Sequence, residues 1–414
     1  MKIAYFVHDV SDPAVGRRLG MLQATGAEVG VIGFRRSDAP VTELDGASVF
    51  DLGRTYDAQL RDRAGRVLDW MLNVKRLKAR AQGAQVFIAR NLEMLAIAAA
   101  ARRLFQPRPA LVYECLDIHW LMLSKAAAGR VLRLAERRLL AQTKLLIVSS
   151  PAFLSRYFEP VQQIGRLGVK SLLIENKHLD LTPARQAPAW TPRRPGPPWR
   201  IGWFGVLRCC KSLDLLTALA ARRPDLVEVV IRGRPSPAVF QDFPDIVAGV
   251  PGLQYGGPYH PRETGALYRD CHFSWAIDFY DEGRNSAILI PNRIYDAGAQ
   301  ACVPLALAGV ETGRWLARRG VGVLLEDPLR ELEPFFERLD ADGYRTLEGR
   351  MAAVDPNAFR ADRAECERFH AALAGVVAKP WFSEDSASDS KAYRAPAPRR
   401  ALSERSGEPA GAAR

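Results

Sequence analysis

Short apolar runs rich in β-branched residues alternate with helix-length segments along almost the whole chain, and that alternation leaves few folds open. Residues 2–7 (KIAYFV) and 27–34 (AEVGVIGF) flank a segment holding Arg17, Arg18, Leu19 and Met21, which makes a β-α-β opening. Comparable runs recur at 85–89, 110–115, 144–148 and 171–175, with helical patterns such as LEMLAIAAAARRLF between them. Strands joined through helices in this way predict a parallel sheet covered on both faces. Between Thr182 and Trp199 the stretch TPARQAPAWTPRRPGPPW is too dense in proline to continue a helix or an inner strand. A second alternating series follows: RIGWFGVL, a helix from Lys211 to about Ala221, then LVEVVIRG, LQYGG, FSWAID, VPLALAG and GVGVLLED.

The 414 residues exceed the span that one core organises, roughly 250–300 residues. The expected layout is an α/β protein of two Rossmann-like, doubly wound domains: 1–181, a Pro-rich linker 182–199, and 200–357. A C-terminal helix 358–382 and a disordered tail 383–414 rich in Ser, Ala, Pro, Arg and Glu complete it. Two such sheets set their carboxyl ends around one cleft, where ligands of these sheets bind.

The formal charge of +12 predicts an anionic partner. Residues 54–80 hold eight Arg and Lys against three Asp, and 102–144 hold nine against three acids, so the excess is concentrated in the N-terminal half. Neither segment has an RNA-binding aromatic signature or zinc-finger spacing, which argues against nucleic acid and for phosphorylated substrates or an anionic lipid surface. In LRDRAGRVLDWMLNVKRLKAR (60–80), Val67, Leu68, Met71, Leu72 and Leu77 recur at near-helical spacing around Trp70, with a basic remainder. Such a helix either packs on its own sheet or lies on an anionic membrane, and both hold if the basic face meets lipid. The six cysteines match neither a zinc pattern nor a disulfide framework, pointing to a reducing compartment. The opening MKIAYFVHDV is too short a run for a signal-peptide core, and no stretch of eighteen apolar residues occurs, so a cytoplasmic location is expected.

Candidate chemistry sits in four places. In IGWFGVLRCCKSLDLL, Gly205 allows a tight turn while Arg208 and Lys211 stand at the mouth of the next helix, where an anion is already favoured. VVIRGRPSP repeats the glycine-plus-base pattern with Arg232 and Gly233. RNSAILIPNRIYDAGAQACVP places Asn292, Arg293 and Asp296 on a short helix leading into a strand, a layout suited to phosphate and ribose. In YECLDIHWL, Asp117 and His119 follow a strand end, as a base and an orienting group or, equally, as packing and capping residues; His8 has the same ambiguity.

Taken together these residues resemble the family 4 type of glycosyltransferase with the GT-B fold, over most of residues 1–380. Gly205 to Lys211 is similar to that family's donor-phosphate loop, IRGRP to its second glycine turn, and GGPYHPRETGALYRDC (256–271) to the segment that follows. LLIENKHLD (172–180) looks like the family's stretch before the linker, and PNRIYDAGAQACVP like the strip whose carboxylate holds the nucleotide ribose. There are departures. Val206 stands where the family has Arg, Ile288 where it has the first of two glutamates, and Ala301 and Cys302 replace a glycine; Asp296 takes the second acid's place, and Asp281 or Glu282 are candidates for the first acid's role. The opening MKIAYFVHDVSDPAVGRRLGML, with YECLDIHWL and NRIYDAGAQACVPLALAGVETGRWL, narrows the resemblance to bacterial exopolysaccharide glycosyltransferases of the succinoglycan-biosynthesis type.

The resemblance implies an N-terminal acceptor domain and a C-terminal nucleotide-sugar domain, with UDP-glucose the expected donor of a hexose. The implied acceptor is a polyprenyl-diphosphate-linked saccharide, met by a peripheral enzyme at the inner face of the cytoplasmic membrane. Arg208 and Lys211 would meet the leaving diphosphate, so that no metal is required. Gly16, in the loop after the first strand, would let the backbone approach the diphosphate from the other side. A sugar-nucleotide epimerase of the same fold and a non-catalytic scaffold in a polysaccharide assembly complex are the competing readings.

Overall fold

The computed structural model describes residues 1–56, 60–182 and 191–378. Residues 183–190 of the expected linker and the tail expected at 383–414 lie outside them. Two sheets carry the fold. The first is built from β1 (Lys2–Val7), β2 (Glu28–Arg35), β3 (Glu43–Leu44), β4 (Ala47–Arg54), β5 (Val86–Arg90), β6 (Ala110–Cys115), β7 (Leu145–Val148) and β8 (Lys170–Leu173), in the order β3-β4-β2-β1-β5-β6-β7-β8. Every pairing in it is parallel except β3 with β4. β4 is absent from the apolar runs read in the sequence, because Asp51 and Gly53 interrupt it and most of its side chains are only part-buried.

Alternation along β1 shows why this sheet is covered twice. Ile3, Tyr5 and Val7 join a cluster with Leu19, Leu22, Phe369 and Leu373 on one face. Ala4 and Phe6 join Trp70, Phe87, Met94 and Leu140 on the other. Side chains of a strand point to opposite faces in turn, so a run apolar at every position is stable only between two helical layers.

A short β9 (His178–Leu179) follows, and then the second sheet: β10 (Trp199–Leu207), β11 (Val227–Pro235), β12 (Leu253–Tyr255), β13 (Phe273–Trp275), β14 (Val303–Leu307) and β15 (Val323–Leu325), all parallel, in the order β12-β11-β10-β13-β14-β15. Its core gathers Trp199, Trp203, Trp275, Trp315 and Phe336. Trp199, the last residue of the expected linker, is already fully buried in β10.

The chain then returns to the first sheet. β16 (Arg360–Ala361) pairs in parallel with β9, and Arg360 reaches Asp180 at 2.9 Å. The closing helix, expected from residue 358, starts only at Arg363, because 360–361 is drawn into that pairing and Asp362 accepts from the Glu365 N–H at 2.8 Å. Its Cys366, Phe369 and Leu373 pack on the first sheet, so the final helix completes the N-terminal core.

The helix Asn292–Gly298 ends where the family resemblance had lost a glycine. Cys302 N–H bonds to Ala297 O at 3.0 Å and Ala301 N–H to Gly298 O at 3.0 Å, a Schellman closure that puts Ala301 at φ 51°. Alanine takes this left-handed position at a cost of roughly 1–2 kcal/mol. Ala301→Gly is therefore expected to raise stability by about 1 kcal/mol in urea denaturation, after the glycine's own unfolded-state entropy is offset.

Candidate functional site

The carboxyl ends of both sheets face a common cleft. On the C-terminal side, the two glycines lie inside the β10–β11 ladder as register partners rather than in turns. Both have positive φ, 118° at Gly205 and 142° at Gly233. A Cβ on Gly233 would stand 1.8 Å from the Gly205 carbonyl oxygen, whereas above Gly205 there is no atom within 4 Å of the Cβ position. One glycine lets the strands approach, and the other leaves backbone open to a ligand. Arg232 is anchored beside them, with Nε donating to Gly257 O and Nη2 to Pro258 O, each at 3.1 Å.

After β10 the chain turns into the helix Cys210–Arg222, capped by Cys209, whose sulfur accepts from the Ser212 N–H. Lys211 is therefore the second residue of that helix, with Arg208 just ahead of it. Both cations rest on the loop after β13: the Arg208 guanidinium lies 4.4 Å from the Tyr280 ring centroid and the Lys211 ammonium 4.1 Å from that of Phe279. Lys211 also donates to both oxygens of Glu282, at 2.9 and 3.0 Å. The pair is more than half exposed, so it orients the ammonium without adding much stability.

Asp296 projects from the Asn292–Gly298 helix and is nearly buried. Its two oxygens both accept from Arg17 Nη2, at 3.0 and 2.9 Å, and Arg17 Nη1 donates to Asn176 O at 3.0 Å. Arg17 belongs to the first helix of the other half, Pro13–Gln23. Arg293 donates to Trp275 O at 2.9 Å, which fixes it at the end of β13, and Asn292 opens the helix.

On the N-terminal side, Asp117 lies between β6 and the short helix Trp120–Leu123, and Asn285 Nδ2 donates to its Oδ1. Solvent still reaches this carboxylate, but the cleft walls crowd it, and that enclosure pushes its pKa above the ordinary range while Arg208 across the cleft opposes the rise. His119 caps the short helix, its Nδ1 accepting from Leu121 N–H at 3.2 Å, and burial lowers its pKa. The capping alternative thus describes how the ring is held, with Nδ1 occupied by the cap.

Beneath these groups Glu114 is fully buried. Burial pushes it up, yet Arg90 and Arg18 hold it ionised well below the usual carboxylate range, with Tyr5 donating at 2.7 Å. Gly16 is not in a loop. Asp12 accepts from Ala14 N–H and Pro13 fills the first helical position, so the helix begins early and Gly16 stands inside it, its Cβ position 3.1 Å from Asp45 Oδ2.

A further set of contacts explains Ile288. The segment Asn285–Leu289 crosses from the C-terminal half into the first sheet's core, where Ile288 is buried beside part-buried Ala287 and Leu289, and Ser150 Oγ donates to Ile288 O at 2.6 Å. Asn285 Oδ1 also accepts from Ile118 N–H at 3.3 Å. The position that carries the first acid in the resembled family is therefore a dock between the halves. Asp281 stays in the cleft, near Asp117 and His119, and Glu282 is held by Lys211.

The comparisons agree with this architecture. ExoL of Rhizobium meliloti (strain 1021), a succinoglycan biosynthesis protein, is 41% identical over 383 residues, 91% of this chain and 94% of its own length. The chain belongs to the ExoL family. Its fold is GT-B, shared at low sequence identity with sucrose-phosphate synthase from Thermosynechococcus elongatus (TM-score 0.67, 14% identity, 91% of this chain and 99% of that one). Anabaena HepE in complex with UDP gives a TM-score of 0.61 at 15% identity, covering 91% of this chain and 100% of that one. No protein-family model matches the chain.

In this ExoL-family chain the fold brings Gly205, Arg208, Lys211, Arg232 and Gly233 to one rim and Asp117 and His119 to the other. Arg293 and Asp296 share the surroundings of Tyr259 with Arg232, the neighbour of Gly233, and Asn292 opens the helix that carries them. Sequence reading missed Arg17, Asn285 and the Phe279–Tyr280 pair; the last had a signal, two aromatics set between Asp278 at the end of an apolar run and Asp281 and Glu282. Gly233→Ala is expected to destabilise the protein by about 3 kcal/mol or more in urea denaturation, from forced separation of β10 and β11 plus the strained φ. Gly205→Ala should cost less, because its Cβ meets open space.

Proposed function

We propose that the protein is a glycosyltransferase that moves a hexose from a nucleotide diphosphate sugar, UDP-glucose first among donors, to a lipid-linked saccharide in exopolysaccharide biosynthesis. The observation that carries this reading is the arrangement of Arg208 and Lys211 at the carboxyl end of the second sheet, opposite Asp117. The family supports it further. In this reading the C-terminal half holds the donor: Asp296 takes the ribose hydroxyls, Asn292 and Arg293 shape the nucleotide end, and the diphosphate lies over Gly205 and Gly233 near Arg232.

The chemistry follows from charge. As the bond from the sugar to the diphosphate breaks, negative charge grows on the leaving oxygens, and fixed cations lower the barrier by meeting it. Arg208 and Lys211 do this without a metal. On the acceptor side, Asp117 has one oxygen held by Asn285, and its raised pKa suits it to take the proton of an incoming hydroxyl. The buried Ile288 keeps one competing reading alive, a scaffold that binds nucleotide weakly or not at all.

The acceptor's lipid anchor asks for a membrane face. Among the described residues no helix is long and apolar enough to cross a membrane. On the helix Leu60–Leu72, Trp70 turns inward and donates to Leu52 O, while Leu68 and Leu72 are 57% and 75% exposed. Lys75, Arg76, Lys78 and Arg80 follow at the surface. On the helix Ala127–Leu140, whose inner face joins the same core cluster, Val131 and Leu134 are exposed beside Arg130 and Arg138. Exposed apolar side chains ringed by cations suit a peripheral, anionic lipid surface at the inner face of the membrane.

Incubation with radiolabelled nucleotide sugars and membrane acceptors should carry label into the lipid fraction. Lys211→Ala should slow that transfer on the order of 100-fold; absence of transfer from every donor would sink the reading. In flotation assays the protein should rise with phosphatidylglycerol-rich vesicles and not with phosphatidylcholine ones, and Leu68→Glu with Leu72→Glu should abolish flotation while leaving the melting temperature unchanged. Equal behaviour on both vesicle types would remove the anionic-membrane part.

A further inference from the structure

Asp296 is the group assigned above to the nucleotide ribose, yet both its oxygens are taken by Arg17 from the opposite half. The Arg17 and Asp296 side chains are 21% and 10% exposed, so this is a largely desolvated pair that water cannot easily replace on either side. A second observation concerns the charge around it. Tyr259 lies within electrostatic reach of three guanidiniums, Arg17, Arg232 and Arg293, and of one carboxylate, Asp296. Glu263 stands 3.9 Å from Arg232 at the exposed rim. Arg232 and Arg293 spend their hydrogen bonds on backbone carbonyls, which carry no full charge. Around Asp296 the pocket is therefore cationic beyond what its acids offset, and it lies at the carboxyl end of a parallel sheet beside Gly205 and Gly233.

We propose that Arg17 is a donor-binding residue supplied by the N-terminal half, which passes from Asp296 to the nucleotide's diphosphate when the ribose hydroxyls take its place. The inference rests on the reading of Asp296 as ribose partner. One Arg17 nitrogen bridges both oxygens of a carboxylate that is only 10% exposed, so the guanidinium covers its open face and ribose hydroxyls reach that face by displacing it. The displaced guanidinium then needs an anion, because leaving it unpaired in a half-buried site is costly. The diphosphate is that anion, and planar guanidinium donors match phosphate oxygens. Before exchange Arg17 also holds Asn176 O, on the segment where the chain crosses between the sheets, so donor entry is felt by both halves.

The test is calorimetry on the full chain with the tightest binder among UDP, GDP, ADP and dTDP and with the matching nucleoside. Arg17→Met should weaken the nucleoside diphosphate about tenfold or more, while the nucleoside, which needs only a free Asp296, binds as well as before or more tightly. Equal change in both ligands, or tighter binding of both, overturns the proposal. Arg17→Met leaves a buried carboxylate unpaired and risks misfolding, so the double variant R17M/D296N is measured too. With both charges removed, the diphosphate must still lose more, relative to D296N alone, than the nucleoside does. If D296N changes neither affinity, the ribose reading falls and this proposal with it. If the unaltered chain binds no nucleotide, the donor reading itself is lost.

Discussion

The cleft exists because one short segment of the C-terminal half is built into the core of the N-terminal half. Asn285 grips the turn after β6 through Asp117 and the Ile118 N–H, and Ile288 is buried against the first sheet three residues later. Burying an Ile-sized side chain contributes roughly 1.5–3 kcal/mol, and the hydrogen bonds around it fix its direction. This dock sets the distance between Asp117 and the cations after β10. It also accounts for an isoleucine where the resembled family carries an acid: at this position the chain uses apolar contact.

Charge is organised in layers beneath the dock. Deepest is Glu114, neutralised by Arg18 and Arg90 and closed to solvent. Above it the ionisable groups are less enclosed than Glu114: Asp117 near Arg208, Lys211 on Glu282, and Asp296 on Arg17, the last pair 10% and 21% exposed. The deep set is structural, because removing any partner strands a buried charge. The upper set differs in kind, because its pairs join side chains from separate elements at the cleft and none is as enclosed as Glu114.

Much of the fold was legible. Apolar runs predicted six strands of the first sheet within a residue or two, and the helix after β10 differs by one residue at each end. β4 escaped because Asp51 and Gly53 break its sequence and most of its side chains are only part-buried, so it lacks a continuous apolar run. Gly16 was misplaced because Asp12 and Pro13 start the helix sooner than the glycine suggests. The glycines at 205 and 233 were read as turns from composition, whereas their value lies in facing each other across a ladder, which a linear sequence does not display.

By itself the sequence determined the alternation of elements, the two parallel sheets it demands, and the residue types gathered at their carboxyl ends, since these follow from local periodicity and the chemistry of single side chains. Only the tertiary structure decided who partners whom. Asp117 meets Asn285 from 168 positions away and Arg17 meets Asp296 from 279. A carboxylate's role depends on what occupies its oxygens and how much water reaches it, and both are set by surfaces that come together when the two halves close on each other.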